Sequence, residues 1–367
     1  MCRFGTGRLI MVTKPLTSRI DWVDYAKGIC IILVVMMHST LGVEKAAAAV
    51  SWLHPFIEWA RPFRMPDFFL ISGLFLSSRI NQPWREYLDS KVLHFIYFYV
   101  LWLFIQTVFK ACLTCGMEGA VDAAKVFFEG FAEPFGTLWF IYLLPIFFVL
   151  TKALHHVPPF IVFLAGAILL SLRIDTGWLM IDEFASRFVY FYLGFWLAKP
   201  IFAFAAQVNA RSILVILTGL VIWGITNALM VQAGLSLLPG FNLLLGVIGA
   251  CAVISTGVLL SKFKLAEALR YCGQNSIVIY LAFFLFMATS RTVLLRLFPQ
   301  FDIGWVSLAV TACGVVGPVI LFWFTRGTIL NFLFTRPNWA KLEKTGAWWH
   351  SVSHDKQPNI KAHPEVR

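Results

Sequence analysis

Ten long stretches of apolar residues, separated by short polar loops, constrain the fold of this chain more than any other feature. A helix needs about 20 mostly apolar residues to cross a bilayer, because each residue adds about 1.5 Å along its axis. The stretches lie near 25–43, 65–80, 92–115, 138–154, 159–173, 184–205, 211–231, 237–261, 274–297 and 303–326. A helix satisfies its own backbone hydrogen bonds within lipid. The pattern therefore predicts an all-α, polytopic membrane bundle of about ten transmembrane helices.

The composition of the chain also favours a membrane protein. Of its 367 residues, 59% are hydrophobic and 13% are charged, whereas a soluble domain carries about 25% charged residues. Most of the seven cysteines lie in or beside apolar stretches, where cysteine behaves as a small hydrophobic residue. Cys112 and Cys115 have the spacing of metal ligands or of a redox pair, but no second ligand pair exists. We therefore expect no metal and leave a structural disulfide between them open.

The distribution of basic residues predicts the orientation of the spans. With the N-terminus in the cytoplasm, 21 of the 30 Lys and Arg residues fall on the inner side and 7 on the outer side. Cytoplasmic loops of membrane proteins carry such an excess. We therefore expect both termini in the cytoplasm, and the net charge of +11 needs no nucleic-acid partner to explain it.

The chain divides into three regions in this interpretation. Residues 1–18 form a cytoplasmic N-terminal tail, residues 19–326 form the membrane domain, and residues 327–367 form a basic, partly disordered cytoplasmic tail. The first apolar stretch could be mistaken for a cleaved signal peptide, but it contains a histidine and further spans follow it. Residues 46–64 are expected to form an interfacial or partly inserted helix.

The first apolar stretch contains a single histidine, His38. Ionisable residues at membrane depth are rare and usually face a protein interior or a water-filled cavity. Lys27 precedes it by eleven residues, which places both side chains on one helix face about 16 Å apart. This arrangement suits a polyanionic donor whose phosphates bind at the cytoplasmic end while its reactive end reaches into the bilayer. Alternatively, Lys27 is a snorkelling anchor and His38 a satisfied core residue.

A basic pair follows as Arg61-Pro-Phe-Arg64. Arginines three residues apart share one side of a helical turn. Pro62 and Pro66 predict a broken or kinked segment, which membrane proteins tolerate where it lines a cavity. Two guanidinium groups there could bind a phosphate or carboxylate, or stabilise an oxyanion. The alternative is an interfacial arginine pair that meets lipid headgroups.

Acidic residues near these positions have several possible roles. Asp67 and Glu58 lie near enough in sequence to neutralise an arginine or to orient His38. Asp24 precedes His38 by fourteen residues, about 21 Å along a helix, which is too far for a hydrogen bond. A helix cap or a salt bridge to Lys27 is the expected role of Asp24.

Four segments resemble, in order, the motifs of the acyltransferase-3 family of integral-membrane proteins. Lys27, ten intervening positions and His38 match the basic residue and histidine that open the family sequence. Residues 61–73 resemble its Arg-x-x-Arg motif followed by an aromatic Ser-Gly segment. Residues 136–144 resemble its Leu-Trp-Phe block, and residues 275–281 resemble its Ser-x-x-x-Tyr-Leu block. The resemblance extends from residue 19 to about residue 325.

The resemblance implies an O-acyltransferase of the bacterial inner membrane. Such a protein moves an acyl group, usually acetyl, from cytoplasmic acyl-CoA to a hydroxyl of a cell-envelope or exported glycan. It would act with membrane lipid, a glycan or lipid-linked glycan acceptor and other glycan-assembly proteins. His38, Arg61 and Arg64 would then be catalytic, and Lys27 would join the two arginines in binding the donor. The expected supporting residues are Asp24, Asp67, Trp139, Ser276 and Tyr280.

The chain departs from the family pattern at two points. Many members carry a histidine after the late Tyr-Leu pair, where this chain has Phe283. Some members are fused to an extracytoplasmic esterase-like domain, which this sequence does not contain, so we expect transfer to finish in the membrane part or on a separate partner.

Two other functions are compatible with the residues. A proton-coupled transporter or flippase could use His38 as a proton relay, and such folds show repeated halves with interrupted helices. A non-catalytic scaffold for glycan assembly would tolerate the loss of His38.

The charge distribution predicts a testable topology. Reporter fusions after Glu118 and Asp175 should read as extracytoplasmic, and fusions after Lys264 and Arg367 should read as cytoplasmic. Paired reporters that are active on opposite sides of the membrane measure this directly. An extracytoplasmic C-terminus would rule out an even number of spans.

Overall fold

The fold is built from helices alone. The computed structural model describes residues 20–114, 117–134 and 136–342, and these residues contain no β-strand, so the expected all-α class is confirmed. Both terminal tails beyond these limits, and the side chains of Cys112 and Cys115, lie outside the described residues. The helices are α1 (Asp21–Ala47), α2 (His54–Leu74), α3 (Trp84–Leu88), α4 (His94–Thr114), α5 (Met117–Glu129), α6 (Trp139–Ala153), α7 (Pro159–Ser171), α8 (Leu179–Trp196), α9 (Ala198–Ala210), α10 (Ile213–Gln232), α11 (Phe241–Phe263), α12 (Glu267–Gln274), α13 (Ser276–Leu297) and α14 (Ile303–Thr325).

Seven helices of the described chain are long and apolar enough to cross a membrane. They are α1, the continuous segment Trp84–Ala111 that joins α3 to α4 through the π-helical turn Asp89–Leu93, α6 with the turn after it, α10, α11, α13 and α14. An eighth is counted if α8 and α9, which meet at an angle of 73°, form one span. The protein is therefore a multi-pass membrane protein, whereas the count of ten spans and the position of the termini stay predictions.

Three of the ten expected spans differ from plain transmembrane helices. The stretch at 184–205 is divided between α8 and α9 by the 73° bend. The stretch at 159–173 is the 13-residue α7, which at about 1.5 Å per residue is too short to cross a bilayer alone. The stretch at 65–80 is the second half of α2, which ends at Leu74 and begins eleven residues before the predicted start.

The antiparallel pair α1 and α2 lies at the centre of the bundle. Helix α1 packs against α2, α11, α12, α13 and α14, and α2 packs in turn against α8 and α11. Buried aliphatic and aromatic side chains such as Ile31, Val35, Phe63 and Phe69 fill the contact between them and their neighbours. Helices α1 and α2 carry the histidine and both arginines of the sequence motifs. The candidate catalytic residues therefore lie on the two central helices of the bundle.

Helix α2 runs without a break through Pro62 and Pro66, so a broken segment is wrong, whereas the alternative of a kink at these prolines stays a prediction. Each proline removes one backbone donor from the helix. Burial between α8 and α11 compensates for these losses, since the residues from Phe63 to Ile71 are almost all buried. Residues 54–64, expected to be interfacial, are the first turns of the same helix.

Helix α1 is also held closely by α12. A Cβ atom added at Gly273 would lie 1.6 Å from the carbonyl oxygen of Asp24, and one added at Gly28 would lie 2.1 Å from that of Leu269. Small residues allow such backbone contact between membrane helices. These contacts fix the position of α1 along its axis relative to α12.

The beginning of the predicted C-terminal tail packs against the membrane domain. Arg336, which is buried, donates two hydrogen bonds to the carboxylate of Asp89, at 2.6 and 2.7 Å. The indole of Trp102 donates to the carbonyl oxygen of Leu333 at 3.0 Å. Residues 327–342 are therefore attached to the π-helical turn and to α4.

Close contact between α2 and α8 generates a stability prediction. A Cβ atom at Gly194 would lie 1.9 Å from the backbone oxygen of Leu70, so Gly194→Ala must push the two helices apart. We expect a loss of about 1–3 kcal/mol, the usual effect of overpacking, measured as a lower melting temperature in detergent. Gly219→Ala on α10, where nothing lies within 4 Å, is the matched control and should leave the melting temperature unchanged or raise it. Equal shifts for both variants would contradict the close contact.

Candidate active site

His38 lies in the second half of α1, half-buried and facing α13. Its ring lies 5.5 Å from the ring of Phe283, centroid to centroid, with the two planes tilted by 39°. Within the described part of the chain the imidazole makes no hydrogen bond. Both ring nitrogens are therefore available to exchange a proton with a bound ligand.

The imidazole of His38 has an electrostatic interaction with one charged group, the guanidinium of Arg64. Arg64 is 8% exposed, and its Nη1 donates a hydrogen bond of 3.3 Å to the carbonyl oxygen of Ile57. No carboxylate of the described residues forms an ion pair with it, and its Nε has no hydrogen-bond partner there. A buried cation without a counter-ion is unfavourable, which makes this a place where a negative charge is stabilised.

Arg61 has a different environment from Arg64. Its side chain is 40% exposed and forms a salt bridge of 2.7 Å with Glu58, one helical turn earlier. Glu58 thus neutralises Arg61, one of the roles that the sequence left open for it. The two arginines of the motif are therefore not equivalent, because one is paired at a cavity surface and the other is buried and unpaired.

Asp67 neither neutralises Arg64 nor orients His38. Its carboxyl group is fully buried beside the thiol of Cys30, and its oxygens make no hydrogen bond of ordinary geometry with a described residue. Asp24 is buried at the start of α1 against α12. Among the described residues, no three His, Cys, Asp or Glu side chains stand close enough to hold a metal ion.

A cavity of about 120 Å³ opens beside Lys27. Most of its lining is apolar, including Phe68 and Phe140, and its polar lining residues are Lys27, Ser72, Ser276 and Tyr280. We call it the Lys27 cavity. The structure therefore brings together Lys27, from the first motif, and Ser276 and Tyr280, from the last.

Tyr280 also joins two motif segments. Its hydroxyl donates to the carbonyl oxygen of Thr137 and accepts from the backbone N–H of Phe140, at 3.2 Å. Trp139 does not line the Lys27 cavity, and its ring lies 6.0 Å from that of Phe69. Trp139 therefore has a packing role in this arrangement.

Two further cations lie near the Lys27 end of the bundle. Lys91, on the π-helical turn Asp89–Leu93, interacts electrostatically with both Lys27 and Arg79. Its Nζ lies 5.0 Å from the ring centre of Phe148, and that of Lys27 lies 5.7 Å from the ring centre of Phe75. Sequence reasoning missed Lys91 and Arg79 as site residues, because it used the basic residues of this loop only to orient the spans.

A larger cavity of about 330 Å³ lies at the opposite end of the bundle. Its lining includes Arg61, Arg173 and Arg187, and we call it the arginine cavity. Arg187 forms a salt bridge of 2.8 Å with Glu183 on the same helix. Both Arg61 and Arg187 act electrostatically on Arg64, so this cavity adjoins the His38 region.

The four motif segments converge in space. Helices α1 and α2 pack together, and the ring of Phe68 on α2 lies 4.5 Å from that of Phe140 on α6. The ring of Phe140 lies 5.3 Å from that of Tyr280 on α13, and Phe283 on the same helix contacts His38. Segments far apart in the sequence therefore surround one region between the two cavities.

Residues 20–326 match the sequence model of an acyltransferase domain, so the chain belongs to the acyltransferase-3 family of membrane proteins. It is 26% identical over 220 residues to the inner membrane protein YcfT of Escherichia coli, covering 52% of this chain and 59% of YcfT. It is 26% identical over 180 residues to the nodulation protein NolL of Mesorhizobium japonicum, covering 48% of each chain. The matches thus span about half the length of these curated relatives. No solved structure matches the chain at a comparable significance.

Proposed function

We propose that the protein is a membrane O-acyltransferase that moves an acyl group, in the first place acetyl, from acyl-CoA to a hydroxyl group of a cell-envelope glycan. The observation that carries the proposal is the pairing of His38, whose imidazole is unengaged, with the buried and unneutralised guanidinium of Arg64. A proton-transfer group beside a fixed positive charge is the combination that acyl transfer to a hydroxyl requires. Membership of the acyltransferase family supports it.

The donor would bind at the Lys27 end. Lys27, Lys91 and Arg79 form a group of cations suited to the phosphates of CoA. The apolar Lys27 cavity beside them suits the less polar arm that carries the thioester. Lys27 and His38 lie on one face of the unbroken helix α1, about 16 Å apart, so an extended donor can reach from one to the other.

In the direct mechanism, His38 removes the proton from the acceptor hydroxyl as its oxygen attacks the thioester carbonyl. Arg64 stabilises the oxyanion that forms on the carbonyl oxygen. Collapse of this intermediate breaks the carbon–sulfur bond, and the CoA thiolate takes the proton from the imidazolium. In the covalent mechanism the neutral imidazole nitrogen of His38 attacks the thioester carbonyl, and the carbon–sulfur bond breaks to release the CoA thiolate. The acceptor oxygen then attacks the acyl-imidazole, which frees His38, and the hydroxyl proton passes to the thiolate.

The membrane and the partners follow from the same proposal. A relative is described as an inner membrane protein, which supports placing this chain in the bacterial inner membrane. The acceptor is a glycan or lipid-linked glycan presented from the membrane, and other glycan-assembly proteins would supply it.

A proton-coupled transporter is the second candidate. The 73° bend between α8 and α9 is the feature that favours it, because transporters place substrates at interrupted helices. Such folds repeat the interruption in corresponding halves, but α2 is continuous where the sequence suggested a break. The His38→Ala variant described below distinguishes a non-catalytic scaffold from both of these functions, because a scaffold would tolerate the loss of His38.

Donor binding provides the first functional test. Lys27→Glu should raise the KM for acyl-CoA at least about tenfold by repelling its phosphates, whereas Lys27→Arg should retain most activity, because a point charge is sufficient for phosphate at a wet interface. Lys199→Glu, an exposed lysine on α9, is the control and should leave the KM unchanged. Equal acyl-CoA binding by both Lys27 variants would leave Lys27 as a membrane anchor only.

The catalytic role of His38 provides the second test. His38→Ala should lower acyl transfer by roughly 10²- to 10⁴-fold, the usual contribution of a general base. Expression and melting temperature should change little, because the imidazole makes no hydrogen bond within the described chain.

Two further variants sharpen this test. His156→Ala removes an exposed histidine after α6 and should leave transfer unchanged. Arg64→Lys keeps the charge but loses the planar guanidinium, so it should lower kcat more than it raises the KM for the donor. Full activity of purified His38→Ala protein with acyl-CoA would refute the catalytic assignment.

A further inference from the structure

The arginine cavity brings together guanidinium groups from three separate segments. Arg61 comes from α2, Arg187 from α8, and Arg173 from the turn between α7 and α8. The one acidic residue among the side chains that line it is Asp175. Glu58 and Glu183, which pair with two of the arginines, are not part of the lining. Two of the three arginines of the lining are thus paired with carboxylates that lie outside it, and Arg173 is the one that has no ion pair among the described residues.

The paired arginines keep donors available. An arginine carries five N–H donors, and the contacts to Glu58 and Glu183 each use one side of a guanidinium. These contacts hold the side chains of Arg61 and Arg187 in place. The side chain of Arg173 makes no ion pair or hydrogen bond with any residue that the structure describes. Its guanidinium is thus fully available to a ligand.

One buried polar group of the cavity lining, and one outside the lining, also lack hydrogen-bond partners among the described residues. Ser236 lines the cavity, is 7% exposed, and its hydroxyl has no hydrogen-bond partner within the described residues. The Nε of Arg64, one turn along α2 from Arg61, is likewise unpartnered there. Buried polar groups in folded proteins are normally satisfied. An acceptor-rich ligand group in the cavity would give the hydroxyl of Ser236 the hydrogen-bond partner that it lacks.

We propose that the arginine cavity binds an anionic group of the acceptor, a phosphoryl or carboxylate oxyanion, with Arg173 and Arg187 as binding residues. Naming this ligand the acceptor rests on the proposed function. Planar guanidinium groups bind the oxygens of such anions in pairs, whereas a neutral sugar offers no negative charge to the guanidinium of Arg173, which has no ion pair among the described residues. Because Arg61 and Arg187 act on Arg64, which acts on His38, the bound anion would hold the acceptor next to the reacting centre.

Direct binding to the purified full chain in a neutral detergent tests the proposal without acyl-CoA. The probes are dodecyl phosphate, octyl glucuronide with a free carboxylate, and octyl glucoside as the neutral match, with affinity measured by calorimetry. We expect at least one anionic probe to bind and the neutral probe not to compete with it. The tighter anionic probe identifies the source of the anion, a lipid phosphate or an acidic sugar. Binding should weaken as salt is raised.

The variants Arg173→Gln and Arg187→Gln should each raise the Kd of that probe about tenfold or more. Arg187→Lys, which keeps the charge, should recover part of the loss. Arg211→Gln is the matched control, because Arg211 is exposed at the far end of α10 and does not line the cavity. Unchanged affinity in both cavity variants, or equal binding of neutral and anionic probes, would overturn the proposal.

The same measurement on His38→Ala separates this inference from the proposed function. An intact anion site in His38→Ala protein is expected, since His38 does not line the cavity. If His38→Ala proves fully active in acyl transfer while the cavity variants still lose anion binding, the catalytic proposal fails and the anion site stands.

Discussion

The unpaired positive charge of Arg64 sets the requirements that the surrounding structure must meet. A guanidinium that is 8% exposed can be kept charged only where the bundle supplies backbone oxygens, such as that of Ile57, or an incoming anion. Helix α2 therefore needs to be continuous and closely packed at this point, and the glycine contact between α2 and α8 provides that packing. Stability and chemistry depend on the same short stretch of helix.

The two cavities near His38 and Arg64 differ in size and in the residues that line them. One is small, mostly apolar and lined by a single lysine, Lys27, and the other is larger, more polar and lined by three arginines. Lysine and arginine bind anions differently. The ammonium of lysine is a compact charge suited to a hydrated phosphate, whereas the planar guanidinium of arginine binds two oxygens of one anion. The proposed route of the acyl group runs from the lysine end, past His38, to the arginine end.

The sequence predicts those parts of the fold and site that depend on local pattern. Apolar length predicted the all-helical membrane bundle, and helical spacing placed Lys27 and His38 on one helix, as α1 bears out. Of the broken or kinked segment predicted at Pro62 and Pro66, the break does not occur, because tertiary packing outweighed two missing hydrogen bonds. Lys91 and Arg173 could not be recognised, since Lys91 lies near Lys27, and Arg173 lines a cavity with Arg61, only when segments distant in the chain meet. Arg187 was recognised from the sequence as a possible contact of the acceptor.

Helix α1 cannot slide along its neighbour, because Gly28 and Gly273 put the backbones of α1 and α12 in direct contact. Lys27 and His38 both belong to the unbroken helix α1, so the distance between them along its axis is also fixed, at about 16 Å. In the proposed mechanism this length would limit which donor can react. A thioester carrier anchored at Lys27 would deliver its acyl carbon to the imidazole of His38 only if its arm matched that length. Selection among carriers would then depend on reach rather than on recognition of the acyl group.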